Sequence, residues 1–362
     1  MEERLKKFRK LLSVEKLDAY LICTVHNIQY LTGFSGFSAH EREGYLLVTQ
    51  TNAYIFTDPR LSEGARNGTN PKVISIVELN AHTKLSDSLQ KVINSEHIKT
   101  IGFEEHLTHY EYLKFKKLKD VTIKLSEELI ETLREVKDKD ELENIRLACE
   151  LTDKTFAFIL KNIKLGMSEL DIAWEMEKFI RDNKGTLAFP TIVAFGKNSA
   201  VPHHATSDQR LKTNDIILLD FGAQIKGYCA DMTRTVFFGN PEEKFKTMYE
   251  AVREGQEKGF ETKTDGKNPT CDEIDKAARN YIVSKGFPSV PHSVGHGVGL
   301  QVHELPHISM GFTDEILPNT PFTIEPGIYI NGYGGVRIED TVYFNGTEII
   351  TLTKSPKELL QI

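Results

Sequence analysis

The chain has 362 residues, 40% of them apolar, and a formal net charge of −7. That length accommodates two domains, and the dispersed basic residues leave nucleic acid and membrane surfaces as poor partners. No run approaches the roughly 18 unbroken apolar residues of a membrane span. The four cysteines (Cys23, Cys149, Cys229, Cys271) lack CxxC spacing and read as reduced thiols. The start, Met1 to Lys7, reads as a charged amphipathic helix with no apolar leader behind it, so a cytoplasmic protein is expected.

Residues 1–130 read as a small α/β unit. A helix over 2–16 leads into the apolar strand Ala19–Tyr20–Leu21–Ile22. A Gly-rich segment around Leu31–Gly36 follows, then strands at Tyr45–Val48 and Ala53–Thr57, the latter ending at Asp58–Pro59–Arg60. Helical stretches over 82–93 and 108–117 alternate with strands, which predicts a mostly parallel or mixed sheet. The charge run Leu133–Glu141 reads as a solvated linker and helix start, and 131–362 as a second domain. Helices are expected there over 138–162, over 168–184 behind Ser168, and over 242–258.

Two acidic pairs stand out in the second domain. In Leu218–Thr235 an apolar run and an alternating run flank a Gly-containing turn, as in a β-hairpin. Asp220 and Asp231 are equidistant from Ile225–Lys226, so a hairpin centred there sets them opposite each other. In Thr323–Asp340, Glu325 and Glu339 are likewise equidistant from Gly332. Like charges at cross-strand positions, about 4.5–5.5 Å apart at Cβ, destabilise a sheet. Two such pairs call for a cation between them. The alternative, an exposed hairpin face, fits poorly with the apolar run Leu218–Leu219–Asp220–Phe221.

Between the hairpins lies Pro291–Glu304, with His292, His296 and His303. The i,i+4 spacing of His292 and His296 suits a helix, but Gly295, Gly297 and Gly299 argue for extended chain. Upstream, His203 and His204 sit in a turn-like segment, so these two stretches hold five of the 12 histidines. Carboxylates with one or two imidazoles form a hard, oxygen-rich set that favours Mn, Co or Fe over a thiolate zinc site. Two ions about 3.5–4 Å apart can share a water, acidify it and polarise a carbonyl. Peptide hydrolysis is the natural chemistry of such a site.

The segments Leu219–Ala223, Gly227–Thr235, Gly295–Gly299, Val302–Glu304, Ile324–Gly327 and Arg337–Asp340, in that order, resemble the Xaa-Pro peptidases of the pita-bread metallopeptidase family. The resemblance spans the chain and implies an α/β (α+β) protein. A creatinase-like N-terminal domain would precede a pita-bread domain whose curved, mainly antiparallel sheet holds the metals in its concave face. It implies two divalent ions, Mn or Co first with Zn or Fe as alternatives. Asp220 would hold one ion, Asp231 and Glu339 would bridge, and His296 and Glu325 would complete the second. His303 would stabilise the tetrahedral oxyanion, His203 and His292 would orient substrate and handle protons, and Glu325 would carry the proton of the bridging hydroxide to the leaving nitrogen. Arg337 resembles an arginine near the substrate carboxyl end or behind the ligands, or else is a strand-surface cation paired with Asp340.

The expected substrate is a short peptide with proline in second position, cut before that proline by an Xaa-Pro aminopeptidase, with Xaa-Pro dipeptidase (prolidase) as alternative. The segment after His203, His204–Ala205–Thr206–Ser207, lacks a proline common in the family, which leaves detailed specificity open. A remoter alternative is a metal-free relative that only binds partners, though such relatives have lost ligands and all five are present here. Activity is expected to peak near or slightly above neutral pH. A homodimer is expected, with the aromatic stretch Tyr30–Phe37 serving either its interface or the core.

Overall fold

In the computed structural model, which describes residues 1–262 and 267–362, the chain divides into two compact units, Met1–Arg134 and Glu135–Ile362. The first is built on a six-stranded mixed sheet of order β4-β3-β2-β1-β5-β6. Its strands are β1 (Ala19–Ile22), β2 (Gly44–Thr49), β3 (Ala53–Thr57), β4 (Ser75–Glu78), β5 (Thr100–Phe103) and β6 (Thr122–Leu125). The middle ladders β1–β2 and β2–β3 are antiparallel and the outer three are parallel, so the sheet is mixed. Helices α1 (Glu2–Val14), α2 (Val25–Thr32), α3 (Pro59–Gly68), α4 (Leu85–Ser95) and α5 (His109–Phe115) intervene, and α6 (Glu131–Glu135) lies at the boundary. The Tyr30–Phe37 stretch belongs to the interior: Tyr30, Leu31, Phe34 and Phe37 are all buried, so it gives no support to a dimer interface.

The second unit combines helices with small sheets whose strand pairs are all antiparallel among the described residues. Two capped helices open it, α7 (Lys139–Asn162) and α8 (Glu169–Asp182). Asp138 and Ser168 each complete a capping box, which satisfies the first free N–H groups of the helix. After β7 (Thr186–Leu187) come β8 (Ile192–Phe195), β9 (Asp215–Phe221), β10 (Ala223–Ile225), β11 (Tyr228–Cys229) and β12 (Met232–Phe238). Helices α9 (Glu243–Phe260) and α10 (Cys271–Ser284) separate these from β13 (Gly295–Gly297), β14 (Glu304–Ile308), β15 (Thr320–Ile324), β16 (Gly327–Ile330), β17 (Gly334–Arg337), β18 (Asp340–Phe344) and β19 (Ile349–Thr351). One core packs Phe156, Ile172 and Met176 of α7 and α8 against Leu219 and Phe221 of β9; another packs Phe245, Met248 and Val252 of α9 against Val336 of β17. Both strand pairs that carry the acidic residues therefore have an apolar back and a polar front.

Candidate metal centre

Asp220 lies near the end of β9, and Asp231 immediately precedes β12. Their ladder pairs Asp220 with Thr233, and the same register puts Asp231 opposite Gly222. The two aspartates are thus diagonal neighbours on one face, not direct partners. The physical reason is the turn: Lys226 and Gly227 both adopt positive φ (49° and 86°), a two-residue reversal centred one position later than the sequence suggests. The second hairpin has the expected centre. The pairs Ile324↔Asp340 and Gly327↔Arg337 share one register, which places Glu325 opposite Glu339 where the ladder is interrupted. The two hairpins meet where Glu339 N–H donates to the Thr233 carbonyl and Thr233 Oγ1 donates to Glu339 Oε2.

His296 comes from β13, which is extended as its glycines suggest. A Cβ at Gly297 would stand 1.9 Å from the Leu305 carbonyl oxygen and one at Gly295 2.0 Å from that of Thr323, so only glycine lets this strand close on its neighbours. The imidazole Nε2 lies 3.4 Å from Glu325 and 3.6 Å from Asp231. Ligand-type atoms fall within 4.8 Å of one another in three overlapping groups: Asp220, Asp231 and Glu339; His296, Glu325 and Glu339; Asp231, His296 and His303. His303, expected only to face substrate, therefore also comes within ligand reach, its ring 4.2 Å from that of His296.

So many carboxylates in one buried place resist ionisation. Burial, then neighbouring carboxylates, push Asp231 and Glu339 well above the usual acid range. Burial raises Glu325 to about 8 despite the opposing Arg337. Burial lowers His296 to about 3, so its imidazole is neutral and able to act as a ligand. The Oδ1 atoms of Asp220 and Asp231 are buried with no hydrogen-bond partner. Such orphaned polar oxygens are costly. They fit hard divalent cations, and the donor set of oxygens with one or two imidazoles fits the same ions.

Arg337 is buried, not a surface cation, and it does not pair with Asp340, whose carboxylate is held by Arg234 at 2.6 Å. Its Nη2 donates to Asp220, its Nε to Thr233 Oγ1 at 3.0 Å, and its Nη1 to Tyr329 Oη at 2.9 Å. With that oxygen already accepting from Arg337, Tyr329 O–H donates to His292 Nε2 at 2.9 Å, and His292 Nδ1–H donates to the Ser293 carbonyl at 2.7 Å. His292 thus has both ring nitrogens engaged. Burial lowers it to about 4. One run of hydrogen bonds, through Tyr329 and Arg337, ties His292 to Asp220.

Asp220, Asp231, His296, Glu325, Glu339, His203, His292, His303 and Arg337 all line one cavity of about 360 Å³. Residues 143–345 match the model for metallopeptidase family M24, and residues 4–136 that for the creatinase/prolidase N-terminal domain. The chain belongs to metallopeptidase family M24. An Xaa-Pro dipeptidase of Pyrococcus horikoshii is 35% identical over 363 residues, covering 99% of each chain. The structure of an Xaa-Pro dipeptidase from Bacillus anthracis superposes with a TM-score of 0.92 at 34% identity, covering 100% of this chain and 99% of that one. That of an X-Pro aminopeptidase from Thermotoga maritima superposes with a TM-score of 0.89 at 32% identity, covering 99% of each. A creatinase-type N-terminal domain followed by the M24 domain makes the two-domain pita-bread architecture, and membership implies divalent metal ions.

The M24 cavity also holds residues that the sequence reading passed over: Phe189, Ile192, Ser293 and His307 on the wall, with Tyr329 and Thr233 behind it. A signal existed for one of them: Tyr329 continues the alternation Glu325–Gly327–Tyr329 into the site. Thr233 pairs with Asp220 in a register that the late turn at Lys226–Gly227 hides from the sequence. His307 stands opposite His296 across β13 and β14, beside an irregular register that sequence periodicity does not reveal.

Proposed function

We propose that this M24 protein is an Xaa-Pro dipeptidase that hydrolyses the bond before proline, with catalysis in the 131–362 domain. Two divalent ions, Mn or Co, would be held by Asp220, Asp231, His296, Glu325 and Glu339. The observation that carries the reading is the pair of buried, unsatisfied aspartate oxygens inside a carboxylate cluster that shares its cavity with four histidines besides His296. The ions, when bound, supply Lewis-acid polarisation of a carbonyl and an acidified water. The chain's own groups do the rest. Glu325 takes the proton of the attacking water and passes it to the departing proline nitrogen. That nitrogen is tertiary in the substrate and has no N–H to offer. His303, whose pKa is shifted below the ordinary imidazole value by partial desolvation, donates to the scissile carbonyl oxygen as charge develops there. His203 orients the peptide. His292, with both nitrogens engaged, fixes the Tyr329 and Arg337 side chains rather than moving protons.

The dipeptide is preferred to longer peptides on two grounds. The relatives named as dipeptidases match over the full length, and a cavity near 360 Å³ sits at the small end for ligand sites. The second reading, Xaa-Pro aminopeptidase, is favoured by the Thermotoga maritima structure. The deciding measurement is kcat/KM for an Xaa-Pro dipeptide against the same peptide extended by several residues. A dipeptidase loses at least about tenfold on extension, roughly 1.4 kcal/mol of transition-state binding. Equal or better cleavage of the longer peptide selects the aminopeptidase, and efficient cleavage without proline removes both. A cytoplasmic homodimer goes with this reading. No disulfide joins the four cysteines, as suits a reducing compartment. Light scattering should give twice the 41.0 kDa chain mass, and a monomer mass at micromolar concentration ends the dimer.

A further inference from the structure

His203 is brought into the cavity wall by an irregular segment, and among the described residues its ring makes no hydrogen bond. Its position therefore depends on what holds residues 195–207. One side chain reaches both ends of that segment. Glu169, the first residue of α8, is fully buried. Its Oε1 accepts from Phe195 N–H and Asn198 Nδ2, both at 2.8 Å, where the segment begins. Its Oε2 accepts from His204 Nε2 at 2.8 Å, Ser207 N–H at 2.9 Å and Ser207 Oγ at 2.6 Å, where it ends. The backbone N–H groups of Glu169 and Leu170 donate to the carbonyls of Gln209 and Ser207, so the chain beyond is pinned to the same helix end. The helix N-terminus favours this buried negative charge. On the far side of His203, the Pro202 carbonyl accepts from Arg337 Nη1 at 3.3 Å.

We propose that Glu169 is a positioning residue: it closes the 195–207 segment from both ends and so sets His203 at the mouth of the carboxylate cluster. The proposal rests on the functional reading above. Glu169 touches neither the cluster nor the cavity, and its partners His204 and Ser207 fall in the stretch whose sequence departs from the family pattern. Only a group with two acceptor oxygens and no proton to donate satisfies five donors at once. Glutamine turns an N–H₂ toward one end and breaks the staple there.

The test uses the Mn-loaded full chain and its Glu169→Gln, Ser207→Ala, His204→Gln and His204→Leu variants. It reads metal content, kcat and KM on an Xaa-Pro dipeptide, and amide exchange across residues 196–208. Glu169→Gln should keep its metal and exchange faster across that segment. It should also raise KM while lowering kcat, for a combined loss of about 10- to 100-fold in kcat/KM. A smaller folded fraction lowers apparent kcat but leaves KM alone. Should Glu169→Gln fail to fold, the others decide: Ser207→Ala and His204→Leu should show the same pattern more weakly, and His204→Gln, which keeps an N–H donor, should recover toward wild type. Kinetics within twofold of wild type, faster exchange without kinetic change, or loss of metal in step with activity each overturn the proposal. A wild-type chain inactive on every Xaa-Pro peptide overturns the functional reading itself, which the wild-type control shows separately.

Discussion

Arg337 reaches Asp220, Thr233, Tyr329 and the Pro202 carbonyl from one planar guanidinium, so it orients a carboxylate, the partner of another carboxylate and a substrate-side loop together. Lysine supplies a point charge without that fork. Arg337→Lys should therefore weaken metal binding by about 10- to 100-fold, as losses behind a ligand commonly do. Calorimetric titration of the chelated protein with Mn measures it, and an unchanged affinity would remove the orienting role. His292 makes a separate prediction. Burial holds it near 4 in the folded chain against an ordinary value of 6.5, so between those values the unfolded chain binds a proton that the native one refuses. Its stabilising contribution is complete above pH 6.5 and drains away as pH falls toward 4. The loss amounts to about 2 kcal/mol between pH 6.5 and 4.5. Urea unfolding of wild type and His292→Gln over that range should show the variant's stability falling less steeply, and parallel curves would contradict a buried neutral imidazole. The acidic pairs and the histidines were legible because each is a charged or polar residue inside an apolar or glycine-rich run. Tyr329 carried only its alternation with Glu325, and a tyrosine on a half-buried strand reads equally well as ordinary packing.

At the scale of elements, the hairpins show where sequence symmetry is a sound guide. Gly332 takes φ of 77°, the centre that glycine marks by its conformational freedom, and the Glu325–Glu339 register follows. In the first hairpin Lys226 occupies a left-handed position that lysine seldom takes, so the true centre was hidden. Helix α10 was missed although Thr270 and Glu273 form a capping box, and α3 although Asp58 caps a helix with Pro59 in its first turn. Asp–Pro–Arg at a strand end reads equally well as a turn, and α2 is too short for periodicity to register. Behind the second hairpin, Asp340 accepts from Arg234 at 2.6 Å, Thr353 at 2.8 Å and Gln256 at 3.0 Å, all buried. This node joins β12, α9 and β18 directly beneath Glu339. Asp340→Asn keeps the shape but leaves the Arg234 cation unmatched, and should cost about 3–5 kcal/mol. Urea midpoints measure it; a loss under about 1 kcal/mol would place the pair among those that contribute little.

For the whole molecule, the sequence conveyed motif order better than proximity. His203 and Glu339 are far apart along the chain and share a cavity only because β9, β12, β13 and the β15–β18 ladder converge, which no local pattern encodes. The two units have separate hydrophobic cores: Leu21, Leu47, Phe56 and Phe103 anchor one, while Leu219, Phe221, Phe245 and Val336 belong to the other. Every ligand-type residue of the cluster lies in Glu135–Ile362. A cation that binds only the folded cluster stabilises the unit that contains it, by about 2.7 kcal/mol at a free concentration one hundred times the dissociation constant. It also relieves the mutual repulsion of Asp231, Glu325 and Glu339, which burial otherwise forces toward protonation. Scanning calorimetry of the chelated chain should accordingly resolve two transitions. Adding Mn or Co should raise the one belonging to 135–362 by several degrees while the other stays within a degree, at the scale of a few °C per kcal/mol for domains of this size. Asp231→Asn should abolish that shift. A metal-dependent rise in both transitions, or in neither, would mean that the ions are not held by this cluster alone.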